Sequence, residues 1–300
     1  SLLVFMFPPL ILMGMSSPII INMINTNLDQ TGKSAGKVYA ISTLGGIIAT
    51  YWVGFYLMPE FGIKWPAFVF GLLLIVFSLI GLLKRKNYAG LIVFLPLFIL
   101  FVSNSKVGVA AEGGTTMVYE SEGVFGQIRV FDMPYQTYTR GNHMSRMLYV
   151  NNIQQSSAFR DNLEYDAWDY SYFFPTMVSM FPKDSDALLM GLGGGTIVHQ
   201  YNRLGFNLDV VEIDERIKET AINYFGVSPE TNIIIDDARR YINLCEKKYD
   251  VITFDVFLNE TPPAQVLSIE SFRKVKEMLK PNGLITLNYF GHTAGEKGLS

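Results

Sequence analysis

The 300-residue chain is poor in the residues that build disulfides and metal centres. It has one cysteine, Cys245, and therefore cannot form an internal disulfide. Cys245 lies in a predicted helix that faces a sheet, so we expect it to fill the core. The three histidines, His143, His199 and His292, lie far apart without the spacing of metal ligands, and we predict no metal.

Charged residues are scarce in the first third of the chain and mainly acidic in the rest. Residues 1–105 contain 6 Lys+Arg and 2 Asp+Glu, whereas residues 106–300 contain 18 and 25, which gives net charges of +4 and −7. The acidic part argues against nucleic acid as a partner, because nucleic-acid binding needs a basic surface. The apolar first part indicates contact with a lipid bilayer.

Four apolar runs fill this first part. The run at 1–24 lacks the basic start and the small-residue cleavage site of a signal peptide. The runs at 37–58 and 65–83 have the length that spans a bilayer, about 20 apolar residues, whereas the run at 88–102 is shorter. We therefore expect three to four transmembrane helices in residues 1–105, and a multi-pass membrane protein.

Positive charges between the runs predict the orientation in the membrane. Lys33 precedes the second run, Lys37 begins it, and KRK at 84–86 follows the third, so the positive-inside rule places both loops in the cytoplasm. If the run at 88–102 also spanned, the remaining chain would lie outside, where nucleotide cofactors are scarce. We therefore expect that this run does not span and that the rest of the chain is cytoplasmic.

A glycine cluster follows an apolar strand in LLMGLGGGTIVHQ, residues 188–200. Gly191, Gly193 and Gly195 allow positive φ and close approach of a ligand to the backbone. The helix that follows directs free N–H groups and its positive dipole end at whatever lies above the turn. The turn suits a nucleotide, although glycine clusters of this kind also form ordinary tight turns.

Strands and helices alternate from this turn almost to the end of the chain, which predicts parallel βαβ units. Three acids, Glu212, Asp237 and Asp255, fall at or just after predicted strand ends, where ligands bind in such sheets. Glu212 follows Gly191 by 21 residues, the place of an acid that accepts hydrogen bonds from ribose hydroxyls.

Residues 106–167 precede this fold and contain three short alternating stretches, at 115–121, 126–132 and 146–152, that predict a small antiparallel β subdomain. The aromatic segment at 163–181 is interpreted either as a helix that packs on the sheet or as a lid. In a lid, Asp169 and Tyr170 would contact a cationic substrate, because carboxylates and aromatic faces both attract ammonium groups. Residues 168–300 form the predicted Rossmann-like nucleoside-binding catalytic domain.

The order of these parts resembles the spermidine synthase family of aminopropyltransferases, in a membrane-fused form with N-terminal transmembrane helices. GLGGG at 191–195 is similar to the glycine motif of the family, VVEID at 210–214 to its ribose strand, and RMLYVNNIQQS to the segment that contains its glutamine. The resemblance implies a role for each of several residues: Gln155 at the sulfonium end of the cofactor, Glu212 at the ribose hydroxyls, Asp237 with Ala238 at the adenine, and Asp255 as the catalytic acid.

The resemblance also implies a reaction and its ligands. The co-substrate is decarboxylated S-adenosylmethionine, the acceptor is a di- or polyamine, and the protein is a homodimer. The sequence departs from the family at Gly194, where the family has an aspartate for the aminopropyl ammonium group, and at Leu258, where a second aspartate is usual. Glu260 is the candidate substitute for that second acid.

The leading interpretation is a transmembrane α-helical segment followed by a small antiparallel β unit and a doubly wound, Rossmann-like transferase domain. Two other interpretations stay open: a methyltransferase that uses S-adenosylmethionine, and a catalytically inactive nucleoside-binding or transport-coupled membrane module. The last predicted strand, at 284–290, would be an exposed apolar edge, so we expect further residues beyond Ser300 and a domain truncated at its C-terminal end.

Overall fold

A computed structural model describes residues 2–24, 31–84, 114–137, 141–257 and 263–289. The chain divides into two compact units, Ser1–Lys84 and Arg85–Ser300. The first unit is helical, and the second contains both sheets.

The helical unit consists of apolar helices. Thr31–Phe61 and Lys64–Lys84 are each long and apolar enough to cross a membrane, and Leu10–Ile24 is a shorter apolar helix within the described residues. This agrees with the second and third predicted runs, whereas the run at 88–102 lies outside the described residues. The helices are α1 (Leu2–Ile24), α2 (Thr31–Trp52, continued by π-helical Val53–Leu57), α3 (Met58–Phe61) and α4 (Lys64–Lys84).

Large apolar side chains of α4 are exposed rather than packed in a core. Leu74 is 70% exposed and Phe77 is 68% exposed. Ser78 is the polar residue in this part of the helix. Its hydroxyl donates a hydrogen bond to the carbonyl oxygen of Leu74 at 2.7 Å, so the hydroxyl has its partner within the helix. An apolar surface of this kind is suited to an apolar solvent.

The second unit begins with a five-stranded antiparallel meander, in which each strand pairs with the next. Asn151 and Asn152 form one tight turn with positive φ (51° and 67°), a conformation that asparagine tolerates better than most residues. The first three strands were predicted, and the last two were not. The strands are β1 (Thr116–Gly123), β2 (Gly126–Thr137), β3 (Gly141–Val150), β4 (Ile153–Phe159) and β5 (Asn162–Asp166).

The aromatic segment at 163–181 is not a single helix, and the interpretation as one was wrong for its first part. Residues up to Asp166 pair with β4 as strand β5. The carboxylate of Asp166 then accepts a hydrogen bond from the N–H of Trp168 at 2.8 Å, which turns the chain out of the sheet. A 3-10 helix, Asp169–Tyr172, and a short helix α5, Phe173–Val178, follow.

The remainder is a five-stranded parallel sheet with the order β10-β9-β6-β7-β8, which confirms the predicted doubly wound fold. The order reverses between β6 and β9, so the crevice at their carboxyl ends is the expected ligand site. The elements are β6 (Asp186–Met190), α6 (Thr196–Leu204), β7 (Asn207–Glu212), α7 (Glu215–Phe225), β8 (Asn232–Ile235), α8 (Ala238–Leu244), β9 (Tyr249–Phe254), α9 (Ile269–Met278) and β10 (Leu279–Leu287).

Two apolar clusters cover the two faces of this sheet. Neighbouring residues of one strand point to opposite faces, so Leu189 belongs to one cluster and Leu188 to the other. The cluster around Leu189 includes Ile128 and Leu148 of the antiparallel sheet, which therefore packs on the same side. Cys245 packs against the cluster around Leu188, as expected of a core residue.

Two arginines connect the antiparallel sheet to helix α7. Arg146 of β3 forms two hydrogen bonds with the carboxylate of Asp132, at 2.8 and 2.9 Å, and donates a third to the carbonyl of Tyr224 at 2.9 Å. Arg216 of α7 donates to the carbonyl of Gly126 at 3.1 Å. Charged hydrogen bonds of this kind fix the antiparallel sheet close to the turn after β6.

Candidate functional site

The turn after β6 needs glycine at its three predicted positions, because neighbouring protein atoms fill the space that a side chain would take. Gly191, Gly193 and Gly195 have φ values of 90°, 53° and 78°. A Cβ atom on Gly191 would lie 2.2 Å from the carbonyl oxygen of Asp255, and one on Gly195 would lie 2.2 Å from Cγ2 of Val227. Neither position can carry a side chain without movement of its neighbours.

Backbone hydrogen bonds place this turn between the ends of two strands. The N–H of Gly191 donates to the carbonyl of Val211 in β7 at 2.9 Å, and the N–H of Asp255 donates to the carbonyl of Met190 at 2.8 Å. Gly191 and Asp255, predicted separately, therefore lie side by side at the point where the strand order reverses.

Glu212, at the end of β7, holds the turn from its other side. One carboxylate oxygen accepts from the N–H of Leu192 at 3.1 Å, and the other accepts from the N–H of Asp214 at 3.0 Å. Burial raises the pKa of Glu212, and these two N–H groups oppose the rise because they bond the ionised form. Each oxygen has a second lone pair, which leaves capacity for a ligand hydroxyl.

Asp237 begins helix α8, two residues after the end of β8. Its Oδ1 accepts a hydrogen bond from the N–H of Arg240 at 2.9 Å, so it is the N-cap of the helix. Ala238, the first residue of the helix, is buried. The capping role occupies one oxygen of Asp237, and the expected contact of this residue with adenine stays a prediction.

Strand β4 of the antiparallel sheet forms a wall of the glycine turn. The hydroxyl of Ser156 accepts a hydrogen bond from the N–H of Gly194 at 2.7 Å. The neighbouring Gln155 is close as well, because a Cβ atom on Gly193 would lie 4.0 Å from its carbonyl oxygen. The structure thus brings the backbone of Gln155 to the turn, and the contact of its side chain with the sulfonium end stays a prediction.

Gly194 itself has no room for a side chain. A Cβ atom there would lie 2.9 Å from Cβ of Ser156 and 3.0 Å from Cδ1 of Phe225. Both distances are shorter than an ordinary van der Waals contact, so these neighbours already fill the space where the resembling family has an aspartate.

Asp255 directly follows β9, at the carboxyl end of the parallel sheet, and its carboxylate has one hydrogen-bond donor. The side-chain amide of Asn288 donates to Oδ1 of Asp255 at 2.8 Å, and no other hydrogen bond from the described residues reaches the carboxylate. Burial raises the pKa of Asp255 to about 6, and Asn288 partly opposes that rise. A carboxylate with this pKa is a stronger base than an exposed aspartate and is still largely ionised at neutral pH.

Tyr170 is the second predicted residue that the fold brings near Asp255. The pKa of Tyr170 is raised, mainly by burial and then by the charges of Asp255 and Asp166. Asp169 is exposed on the same 3-10 helix, and its contact with a substrate stays a prediction. Leu258 and Glu260 lie outside the described residues.

Sequence reasoning missed three residues of the site, Asp166, Ser156 and Asn288. Asp166 ends β5 and Asn288 follows β10, so both carried the signal that identified the other acids, a polar side chain at a strand end. Asp166 was overlooked because its segment was interpreted as a helix or a lid. Ser156 carried no signal, because a serine within a strand is common.

A cavity of about 360 Å³ lies on the antiparallel sheet, away from the glycine turn. None of the predicted site residues lines it. The crevice at the switch point is the better candidate for chemistry, because it combines a bare backbone turn with buried acids. The cavity is lined by His143, Met144, Phe159, Asp161, Asn162 and Tyr165.

Comparison with known families supports the resemblance. Residues 174–294 match the spermine/spermidine synthase domain. The matched range contains the glycine turn, Glu212, Asp237 and Asp255, whereas Gln155 and Tyr170 precede it.

Three curated relatives illustrate the range of similar proteins. A probable polyamine aminopropyl transferase of Bifidobacterium longum is 28% identical over 195 residues, which cover 63% of this chain and 42% of that protein. The polyamine aminopropyltransferase of Vibrio vulnificus is 27% identical over 191 residues, or 59% of this chain and 60% of that protein. An N-terminal histidine N-methyltransferase of Emericella nidulans is 33% identical over 112 residues, or 36% of this chain and 20% of that protein.

All three relatives are transferases, and the chain spans less than two thirds of the length of each. The match at 174–294 contains the whole parallel sheet together with its three predicted acids. The parallel sheet and its glycine turn are therefore the part of the chain that is similar to the spermine/spermidine synthase domain.

Proposed function

We propose that this protein is a membrane-anchored aminopropyltransferase of the spermidine synthase type. It transfers the aminopropyl group of decarboxylated S-adenosylmethionine to a di- or polyamine. The observation that carries the proposal is the carboxylate of Asp255, whose pKa burial raises to about 6 beside the glycine turn. The similarity to polyamine aminopropyltransferases of two bacteria supports the same reaction.

The residues around the turn fit the nucleoside part of that co-substrate. Gly191 and Gly193 have positive φ and pack closely against Asp255 and Ser156, so the turn presents no side chain of its own at these positions to a nucleoside. Glu212 has lone pairs left for the ribose hydroxyls, and Asp237 has one carboxylate oxygen left for the adenine amino group. Gln155, on the wall formed by β4, is the candidate contact for the sulfonium end.

Asp255 would act on the attacking amine. An amine attacks only when neutral, and most diamine nitrogen is protonated at neutral pH. Asp255 takes the proton from this nitrogen, a new C–N bond forms, the C–S bond breaks, and methylthioadenosine leaves. The gain comes from positioning together with one proton transfer.

The cationic remainder of the acceptor needs further contacts. Tyr170, close to Asp255, offers an aromatic face and a hydroxyl to an ammonium group. Asp169 and Glu260 are the candidate carboxylates for the far end of the acceptor.

A second candidate is a methyltransferase that uses S-adenosylmethionine. Gly194 favours it, because Ser156 and Phe225 fill the space where an acid would read the aminopropyl ammonium group. A cofactor that keeps its own carboxylate then meets no negative side chain at this position. The similarity to a fungal N-methyltransferase is a further argument. A catalytically inactive nucleoside-binding or transport-coupled module is the third candidate.

One experiment separates the three candidates. The full chain, purified in detergent, is incubated with putrescine and with each of the two cofactors separately, and nucleoside products are identified by mass spectrometry. Methylthioadenosine that is lost in Asp255→Asn supports aminopropyl transfer, whereas S-adenosylhomocysteine supports the methyltransferase. Cofactor binding without either product contradicts the proposed reaction with putrescine and favours the binding module.

We also propose that the helical unit anchors the protein as a multi-pass membrane protein with its catalytic part in the cytoplasm. Thr31–Phe61 and Lys64–Lys84 support the anchor by length and composition, and the lysines at 33 and 37 support the orientation. The test uses Asn202→Cys, an exposed position on α6, in a Cys245→Ala background. A membrane-impermeant maleimide should label this cysteine in inside-out vesicles and not in right-side-out vesicles, and the reverse pattern contradicts the orientation.

Two expectations from the sequence stay proposals. The homodimer is tested by light scattering on the protein as it elutes from a size-exclusion column. After correction for bound detergent, a mass equal to that of one chain would contradict the homodimer. Domain boundaries after residues 105 and 167 are tested by limited proteolysis, which should cut at the first boundary before it cuts within the parallel sheet.

A further inference from the structure

Arg216 is a charged residue near Glu212 that the proposed reaction does not yet use. It is the second residue of α7, and its side chain is 20% exposed. A guanidinium group that is largely withdrawn from water needs carboxylate or carbonyl oxygens as partners. Arg216 has such partners on two sides, in the loop after β7 and in the antiparallel sheet.

Asp214, the N-cap of α7, is the partner of Arg216 in the loop. Its Oδ1 accepts a hydrogen bond from Nε of Arg216 at 3.0 Å, and its Oδ2 accepts one from Nη2 at 2.5 Å. Oδ1 also accepts from the backbone N–H of Arg216 at 3.0 Å. Because the guanidinium group bonds both oxygens, it fixes the plane of the carboxylate as well as its position.

The backbone of Asp214 connects this ion pair to Glu212. The N–H of Asp214 donates to Oε1 of Glu212 at 3.0 Å, and the N–H of Leu192 in the glycine turn donates to Oε2 at 3.1 Å. The residue between the two acids, Ile213, is 43% exposed, so its side chain does not anchor the loop in the core. The bonds between Asp214 and Arg216 therefore hold the loop in place.

The antiparallel sheet holds the other side of the guanidinium group. Nη1 of Arg216 donates to the carbonyl of Gly126, at the start of β2, at 3.1 Å. A Cβ atom on Gly123, at the end of β1, would lie 2.8 Å from Cζ and from Nη1 of Arg216. The turn between β1 and β2 thus has room for the guanidinium group because position 123 is glycine. A continuous series of hydrogen bonds leads from this turn through Arg216 and Asp214 to Glu212.

Arg216 also balances the negative charge of the loop. Burial, and to a smaller extent the charge of Asp214, raises the pKa of Glu212. A guanidinium group on the carboxylate of Asp214 offsets the repulsion between the two acids. Loss of Arg216 would therefore leave Glu212 less easily ionised as well as less firmly held.

We propose that Arg216 is a positioning residue that makes the site selective for ribonucleosides, because it fixes Glu212 through Asp214 with both carboxylate oxygens available to the ribose hydroxyls. Two neighbouring hydroxyls can both donate to one carboxylate only while the carboxylate keeps a suitable orientation. Arg216 sets this orientation from the antiparallel sheet, so both sheets take part in nucleoside binding. The inference rests on the proposed function in that Glu212 binds the ribose of the co-substrate.

The test compares methylthioadenosine with its 2′,3′-dideoxy analogue by calorimetric titration of the full chain in detergent. The ratio of the two dissociation constants measures what the ribose hydroxyls contribute. In the unmodified chain the analogue should bind at least about tenfold more weakly, since hydrogen bonds to charged groups are strong. Arg216→Gln should lower the ratio to about threefold or less, chiefly through weaker binding of methylthioadenosine. An unchanged ratio would overturn the inference.

Arg146→Gln is the matched control. Arg146 also connects the antiparallel sheet to α7, but through Asp132 and Tyr224 rather than through the loop after β7. The control should weaken both nucleosides by the same factor and leave the ratio unchanged. If the ratio falls equally in both variants, Arg216 only fixes the sheet, and the inference is refuted.

Gly123→Ala displaces the guanidinium group from the side of the sheet and leaves Arg216 itself in place. It should also lower the ratio, because the new Cβ atom would occupy the space of Cζ and Nη1. If Arg216→Gln does not fold, this variant decides the inference, and an unchanged ratio in it counts against the role of Arg216.

Amide hydrogen exchange without any ligand separates the inference from the proposed function. Glu212 is the acceptor for the N–H groups of Leu192 and Asp214. Arg216→Gln should speed the exchange of both groups severalfold, whereas Arg146→Gln should not. Equal exchange in Arg216→Gln and in the unmodified chain would contradict the positioning of Glu212. A chain that binds neither nucleoside refutes the proposed function, and the positioning of Glu212 then stands or falls with these two amides.

Discussion

The side-chain amide of Asn288 donates a hydrogen bond of 2.8 Å to the carboxylate of Asp255 and so joins the ends of β9 and β10. The two residues are 33 positions apart in the sequence. The contact stabilises the ionised carboxylate, which burial disfavours. Asn288 therefore increases the fraction of Asp255 that is available as a base at a given pH.

Asn288→Leu should raise the pKa of Asp255 above about 6, because the substitution removes the donor to the ionised form. A higher pKa leaves less carboxylate at a given pH, so the acidic limb of the pH profile should move to higher pH by on the order of one unit. The measurement is the pH dependence of methylthioadenosine formation, or the infrared titration of Asp255 if there is no turnover. Asn288→Gln keeps an amide donor and should shift the limb less. An unchanged limb in Asn288→Leu would contradict the role of this contact.

Gly191→Ala should disrupt the site, because its Cβ atom would lie 2.2 Å from the carbonyl oxygen of Asp255. Gly205→Ala is the matched control, since Gly205 also has positive φ (78°) but a Cβ atom there would lie 3.4 Å from Lys183. Backbone strain alone predicts a loss of stability of about 1 kcal/mol or somewhat more for the control. We expect a larger loss for Gly191→Ala, together with at least tenfold weaker binding of methylthioadenosine. Thermal unfolding and calorimetric titration measure the two effects, and equal losses in both variants would refute the argument from close approach.

Gly194→Ala should cost about 1–3 kcal/mol of stability through overpacking against Ser156 and Phe225. Removal of the Ser156 side chain in Ser156→Gly should relieve part of this cost, so the double variant should be more stable than the sum of the two single effects predicts. Ser156→Ala is the control, because it keeps the Cβ atom and relieves nothing. Thermal unfolding of the single and double variants provides the comparison. Strict additivity between Gly194→Ala and Ser156→Gly would mean that the two positions do not compete for space.

Asp166→Asn should change the pH dependence of stability. The folded-state pKa of Asp166, about 7, lies above its ordinary value, so ionisation destabilises the fold. This penalty is absent below the unfolded pKa, grows as pH rises, and is complete above about pH 7, at about 1.4 kcal/mol per unit of pKa shift. The stability of the unmodified chain relative to Asp166→Asn should therefore fall between about pH 4 and about pH 7. Parallel stability curves over that range would show that Asp166 is not held with a raised pKa.

The parallel sheet could be predicted from the sequence because its signals are local. Each strand is a short apolar run, each helix has an amphipathic face, and acids at strand ends such as Glu212 and Asp255 follow from the rule for ligand sites in doubly wound sheets. The bare turn at Gly191 was predicted for the same reason. The reason that position 191 needs glycine is the nearby carbonyl of Asp255. That residue is 64 positions away in the sequence, so the contact could be found only in the structure.

The rest of the site depends on contacts that no local pattern announces. Asp166 lies in a segment dense in aromatics, where helix, lid and strand were all compatible with the composition, and pairing with β4 decided in favour of the strand. Ser156 meets Gly194 across 38 positions. The roles of Gln155, Tyr170 and Asp237 were predicted from the resemblance, and the structure contributes their positions.

The bonds from Arg146 to Tyr224 and from Arg216 to Gly126 span 78 and 90 residues of the chain. During synthesis the antiparallel sheet emerges first, but it cannot be fixed in place until helix α7 has followed it. Contacts with such large sequence separation slow folding, because the chain loses the entropy of a long loop before the contact stabilises it. The wall of the nucleoside crevice is therefore completed late, and a ribosome-bound chain that ends before α7 should fold the meander without gaining nucleoside affinity.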